Sequence, residues 1–150
     1  MITMTMMSDM LIRGRVESRV LRTAVARAFQ LSDDAVFVTA ADAIQPPTAQ
    51  TRVFVVHEDR DMPGDFPDWY SISIDPALEP RHAEAMDRLA HELSLPILTD
   101  APDDRQMTLH LPDGTGVVVD LIQDHDGAFV MTPEIRRLID RASPRVALAS

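Results

Sequence analysis

Three patterns of apolar residues follow one another along the chain, and each predicts a different element. Val16, Val20, Leu21, Ala24, Val25, Ala28 and Phe29 recur at steps that gather them on one side of a helix, the signature of an amphipathic segment at 3.6 residues per turn. Ser18 stands at or just inside its start, and Ser32-Asp33-Asp34 ends it. Two short continuous runs, Val36-Phe37-Val38 and Val53-Phe54-Val55-Val56, have the β-branched and aromatic content of buried strands. Residues 11–16 read as an earlier strand, with Gly14 interrupting it. Trp69 to Asp75 shows strict alternation: Tyr70, Ile72 and Ile74 point one way, Trp69, Ser71 and Ser73 the other.

The second half repeats these signals. A helix opens near Glu79-Pro80, carries a buried stripe of Ala83, Met86, Leu89, Ala90 and Leu93, and is closed by Pro96. Ile97-Leu98-Thr99 predicts a strand. Met107–Leu111 and Val117–Ile122 flank the turn Pro112-Asp113-Gly114-Thr115-Gly116 as a hairpin. Thr132-Pro133-Glu134 is a helix start with cap, first-turn proline and an acid at the positive end of the dipole, and Ile135, Leu138 and Ile139 form its inner side. Residues 57–68, with two prolines and a glycine, read as a polar loop.

The order β-α-β-β-β-α-β-β-β-α predicts an α+β fold, a mixed and mostly antiparallel sheet with about three helices packed on one of its faces. A doubly wound α/β arrangement ranks second, because it needs more regular alternation and a Gly-rich phosphate turn after a strand. No repeat or linker divides the chain, so residues 1–150 read as one domain with about 1–10 and 143–150 frayed.

Composition then narrows the chemistry. At 150 residues and 45% hydrophobic, the chain can bury a core without staples. There is no cysteine, which excludes disulfides, thiolate metal sites and cysteine nucleophiles. No apolar run approaches the ~18 residues of a membrane span. The opening Met1-Ile2-Thr3-Met4-Thr5-Met6-Met7 lacks a cationic leader, so the expectation is a cytoplasmic protein. The net charge is −10 and every cationic side chain is Arg. Such a surface repels nucleic acid and anionic lipid and favours cationic partners.

Histidines at 57, 82, 91, 110 and 125 show no metal-ligand spacing; His82 and His91 fall on opposite sides of one helix, while His91 lies one turn from Asp87. Asp124-His125-Asp126-Gly127 is a fragment of a calcium loop without its remaining positions and reads as a turn. Ser71 and Ser73 lie on a strand and not on a nucleophile elbow. No metal, cofactor or catalytic residue is expected.

Two charge clusters remain. Arg15, Arg19 and Arg22 share a side of the first helix and would suit a carboxylate or phosphate clamp; that alternative is a small enzyme acting on an anionic substrate. Against them stand Glu58, Asp59, Asp61, Asp65 and Asp68 in one stretch, Asp100, Asp103 and Asp104 in a second, and Asp120, Asp124 and Asp126 in a third. Phe66, Trp69 and Tyr70 accompany the first, and aromatics inside an acidic surround suit a protein-binding hot spot. The small size, the acidity, the lack of cysteine and the stretch from Gly64-Asp65-Phe66-Pro67-Asp68 through Trp69-Tyr70-Ser71-Ile72-Ser73-Ile74 resemble the small immunity proteins of bacterial polymorphic-toxin systems. The resemblance implies an α+β inhibitor that binds a cationic toxin domain, with the acids above standing where a substrate's phosphates would sit. A third reading is a regulatory or assembly subunit that pairs through strand 69–75, homo-oligomers included.

Overall fold

The computed structural model describes residues 6–40, 50–61, 66–100, 106–120, 122–123, 129–130 and 132–142. In chain order the elements are β1 (Met6–Ile12), α1 (Ser18–Phe29), β2 (Val36–Ala40), β3 (Val53–Asp61), β4 (Asp68–Ile74), α2 (His82–Leu93), β5 (Ile97–Asp100), β6 (Gln106–His110), β7 (Gly116–Asp120), β8 (Ile122–Gln123), β9 (Phe129–Val130) and α3 (Pro133–Ala142). This is the predicted order with a small β8–β9 pair added before the last helix. No helix among the described residues is long and apolar enough to cross a membrane.

Local chemistry explains the boundaries. α1 stops at Phe29 because Gln30 turns left-handed, and the Leu31 amide returns to the Ala26 carbonyl. It therefore ends before Ser32-Asp33-Asp34, and a short 3-10 turn, Asp33–Ala35, feeds β2. α2 ends the same way at Ser94. Its start is later than predicted: Asp75 accepts the Ala77 amide and opens a 3-10 turn, Pro76–Arg81, so the α-helix begins at His82. Ala83 is consequently exposed and Ala85 takes its place in the core. The β6–β7 hairpin closes through Gly114, whose φ of +88° suits a residue without a side chain. There Asp113 accepts both the Thr115 amide and its hydroxyl. α3 is capped by Thr132, which accepts the Ile135 amide at 3.2 Å.

Among the described residues seven strands form one sheet, ordered β2-β3-β4-β1-β5-β6-β7. Only β2 and β3 run parallel; every other neighbouring pair is antiparallel. β1 sits at the centre, paired to β4 on one side and β5 on the other. It covers residues 6–12 and not 11–16, and Gly14 lies beyond it. β3 runs on into the predicted polar loop as far as Asp61, with a register shift after His57.

The sheet has two clothed faces, which corrects the expectation of helices on one face only. Toward α1 and α2 point Met10 and Ile12, Val53 and Val55, Tyr70, Ile72 and Ile74, and Ile97, packed with Leu21, Val25 and Phe29 of α1 and Met86 and Leu89 of α2. The opposite face carries a second core: Leu11, Leu98, Leu109 and Val119 meet Ile135, Ile139 and Ala142 of α3, with Phe66 beside them. The alternation of β1 and β5 makes this possible, since adjacent residues such as Ile97 and Leu98 point to opposite sides and both are apolar.

Candidate functional site

Two of the three predicted aromatic anchors are core residues. Phe66 and Tyr70 are each 2% exposed, Phe66 in the α3 core and Tyr70 in the α1–α2 core. The Tyr70 hydroxyl accepts the Val16 amide at 3.4 Å, its ring lies 4.6 Å from that of His57, and burial pushes its pKa up. Trp69 is half-buried against the α3 core. Asp68 is half-buried too and pairs with His57 Nε2 at 3.5 Å. None of these three aromatics forms an exposed hot spot, which corrects the sequence expectation. The alternation of β4 was read correctly, but it places the tyrosine inward.

The arginine cluster also divides. Arg22 donates to the carbonyls of Asp33 at 2.9 Å and Val36 at 3.0 Å and lies 3.8 Å from the Asp34 carboxylate. It thus ties α1 to the start of the edge strand β2 and is not a free clamp. Arg15 and Arg19 are exposed.

What the fold does assemble is an acidic row on the α3 side of the sheet. Ser71 of β4 pairs in register with Asp9 of β1. One step outward from the Met10–Thr99 pair, the β1–β5 register sets Asp9 opposite Asp100. Glu58 of β3 joins the row by accepting the Ser71 hydroxyl at 2.7 Å, and the same hydroxyl lies 3.5 Å from Asp9. Asp100 is exposed at the end of β5; partial desolvation by its neighbours, and then the charge of Asp9, hold its carboxyl above the ordinary carboxylate range. Glu58 and Asp100, from two of the three acidic stretches of the sequence, share this face. The side chains of Asp59 and Asp61, and residues Asp65, Asp103, Asp104, Asp124, His125 and Asp126, lie outside the described residues. Asp120 is exposed on the edge strand β7.

Beside the acids the same face turns apolar. Phe37 of β2 and Phe54 of β3 are register partners whose rings stack at 5.6 Å, with Val56 next along β3. All three are half-buried, and no described helix lies over them: α3 belongs to the core around Leu98 and Leu109. Asp9, Phe37 and Phe54 were absent from the sequence-predicted site. The strand runs that hold Phe37 and Phe54 were legible, but the pairing of β1 with β5 that brings Asp9 to Asp100 was not. Like charges opposite each other across two strands are destabilising. Asp9→Asn is therefore expected to raise stability by a few tenths of a kcal/mol, checked by urea denaturation.

A second polar constellation lies on the helix side. His110 Nδ1 is 2.7 Å from Asp87 Oδ1, and His110 Nε2 is 2.7 Å from Thr99 Oγ1. Gly116 makes room for it: a Cβ there would stand 2.6 Å from Asp87 Oδ1. Asp87 is thereby turned to His110 and not to His91, whose Nδ1 lies 2.9 Å from the Pro112 carbonyl. Nearby, His82 Nε2 is 3.4 Å from Ser8 Oγ. With a neutral ring, His110 donates from Nδ1 to Asp87 and accepts the Thr99 hydroxyl at Nε2, the order of a nucleophile–base–acid relay. Thr99 and His110 are however 4% and 2% exposed, so the hydroxyl faces packed protein. The groove of about 430 Å³ between β7 and α3, lined by Val118, Pro133 and Leu138 among others, lies elsewhere. The chain of hydrogen bonds pins α2 to β5 and β6. Among the described residues no group of three or more acids and histidines could hold a metal ion.

Comparison with family models, with curated proteins and with solved structures returns no match.

Proposed function

We propose that this chain is a small protein-binding domain that engages a cationic protein, in the manner of an immunity protein blocking a toxin domain. The observation that carries the reading is the Asp9–Asp100 pair with Glu58 alongside, on the α3 side of the sheet and next to the core that α3 makes with Leu11 and Leu98. The ion pairs of the described arginines, Arg22–Asp34, Arg27–Glu92, Arg52–Asp75 and Arg88–Glu84, all lie away from it. Two carboxylates held together in this way disfavour folding and favour whatever cation neutralises them, the usual trade between stability and function. The net charge of −10 adds long-range attraction for a basic partner. A clamp for an anionic substrate on Arg15, Arg19 and Arg22 has less support, because Arg22 is engaged with β2.

The test begins with the protein encoded beside this one, co-expressed and co-purified. Association is expected to slow by about tenfold or more between low and physiological salt. Asp9→Asn with Asp100→Asn should slow association further and change dissociation less. A partner that is neutral or acidic, or one whose binding ignores both substitutions, would sink the proposal.

A further inference from the structure

The part of this face that no described helix covers has a shape as well as a charge. β2, β3, β4 and β1 are consecutive in the sheet, and three strand spacings of about 4.8 Å make a strip roughly 14 Å wide. One helix with its side chains is about 10–12 Å across. On the same face the core of α3, through Ile135, Ile139 and Ala142, covers β5–β7 and extends to Leu11 of β1 and Trp69 of β4 at one end of the strip. The apolar and acidic groups are set apart along it. Phe37 and Phe54 stack on β2 and β3 with Val56 next on β3, Ser71 of β4 holds Glu58 of β3, and Asp9 of β1 stands at the far margin with Asp100 on the adjoining β5.

We infer that this face seats one amphipathic cationic helix of the partner, lying beside α3 with its apolar stripe on Phe37, Phe54 and Val56 and an arginine or lysine over Asp9 and Asp100. The inference rests on the protein-binding reading and specifies the partner's element. Backbone chemistry selects a helix. β3, β4 and β1 are hydrogen-bonded on both sides, and the edge strand β2 offers its free backbone groups in the plane of the sheet, so an extended segment laid on this face would find no backbone partner and would press its own amides against phenyl rings. A helix satisfies its backbone internally and presents side chains alone. Charge complementarity selects the cation: a guanidinium bridging Asp9 and Asp100, which the strand register sets opposite each other, would offset the repulsion that adds to desolvation in raising the Asp100 carboxyl. The phenyl pair on β2 and β3 and the acid pair on β1 and β5 are three strand spacings apart, roughly 14 Å, a span that a helix about 10–12 Å across covers with a long cationic side chain reaching from its flank.

The probe is a synthetic peptide of about 18 residues, long enough for some five turns. It carries leucines at i, i+3, i+4 and i+7 with arginines along one flank, and it is compared with a scrambled isomer of the same composition. The patterned peptide is expected to bind about tenfold more tightly than the isomer, and to shift the amide resonances of Phe37, Phe54, Val56, Ser71 and Asp9. Asp9→Asn with Asp100→Asn should weaken it by about tenfold. Glu79→Gln with Glu84→Gln, the same change in net charge on the α2 side, should leave it unchanged. Phe54→Ala should weaken it as well, and the resonance shifts of the unsubstituted chain stand even if that variant folds poorly. Equal binding of both peptides, still lost with the two asparagines, would overturn the helix and leave the acidic face as a cation-binding surface. Shifts confined to α1 and α2 would overturn both readings. Self-association through Phe54 and Val56, seen by sedimentation, would place a second copy there and overturn the inference.

Discussion

Leu98→Ala is expected to destabilise the protein by about 2–5 kcal/mol, as much as Ile97→Ala beside it. Both residues are 0% exposed, yet they belong to different cores. Ile97 faces α1 and α2, whereas Leu98 packs with Leu11, Leu109 and the α3 residues Ile135 and Ile139. Removing three carbons from either loses their transfer free energy and leaves a cavity that the pinned strand cannot close, since β5 is hydrogen-bonded to β1 and β6. In thermal terms the loss corresponds to roughly 5–15 °C for a domain of this size. The pair is diagnostic. A sheet clothed on one face only would show a large loss at one position and almost none at the other. Denaturant unfolding of the two variants decides it; a cost below about 1 kcal/mol at Leu98 would mean that α3 does not form a true second layer.

That second layer marks the limit of what local pattern can tell. The apolar stripe Ile135, Leu138, Ile139 identified α3 as amphipathic, and Thr132-Pro133-Glu134 fixed its start. Neither says which side of a sheet it will cover, because that depends on the path of the chain after β7. The alternation Tyr70-Ile72-Ile74 against Trp69-Ser71-Ser73 was visible because period two is a local property. β1 was misplaced because Met6-Met7-Ser8-Asp9-Met10-Leu11-Ile12 has no β-branched residue before its last position; its strand character comes from neighbours on both sides. The extension of β3 through His57-Glu58-Asp59-Arg60-Asp61 has a similar cause. Pairing with β4 out to Asp68 holds that backbone, where the side chains alone suggested a loop. The candidate site suffered most from such long-range terms. Glu58 and Asp100 were found from charge density, but their companion Asp9 is brought to them by the insertion of β1 between β4 and β5. The phenyl pair that replaces the expected anchors needs the parallel β2–β3 register.

Asp87→Ala is expected to cost about 2–3 kcal/mol, and the loss should grow on mild acidification. The carboxylate is partly exposed, with 28% of its side-chain surface open, but its partner His110 is buried, so the substitution strands a ring N–H in packed protein. Burial pushes the pKa of His110 down and outweighs the attraction of Asp87, which alone would raise it. His82 is lowered as well, by burial first and then by His110, against a smaller pull from Glu79. Both histidines thus hold protons less readily folded than unfolded, where their ordinary value is 6.5. Below that pH the unfolded chain binds more protons, so stability is full above it and declines as the pH falls toward the folded values. The carboxylates act elsewhere. Asp75, lowered by the Ala77 amide and Arg52, loses its contribution only near and below its ordinary 3.8. Asp100, raised, gains protons first in the folded state and works in the opposite direction. Removing Asp87 takes away the one group that raises His110, so its folded pKa drops further and the decline continues to lower pH. Unfolding free energies of the wild type and the variant, measured from pH 7.5 to about 4.5, should fall together just below 6.5 and diverge at lower pH, where wild-type His110 takes up its proton in the folded state and the variant's does not. Curves that stay parallel to the acid end of the interval would mean that His110 does not feel Asp87, and a wild-type curve flat through this interval would mean that buried His110 and half-buried His82 take up protons without opposing the fold.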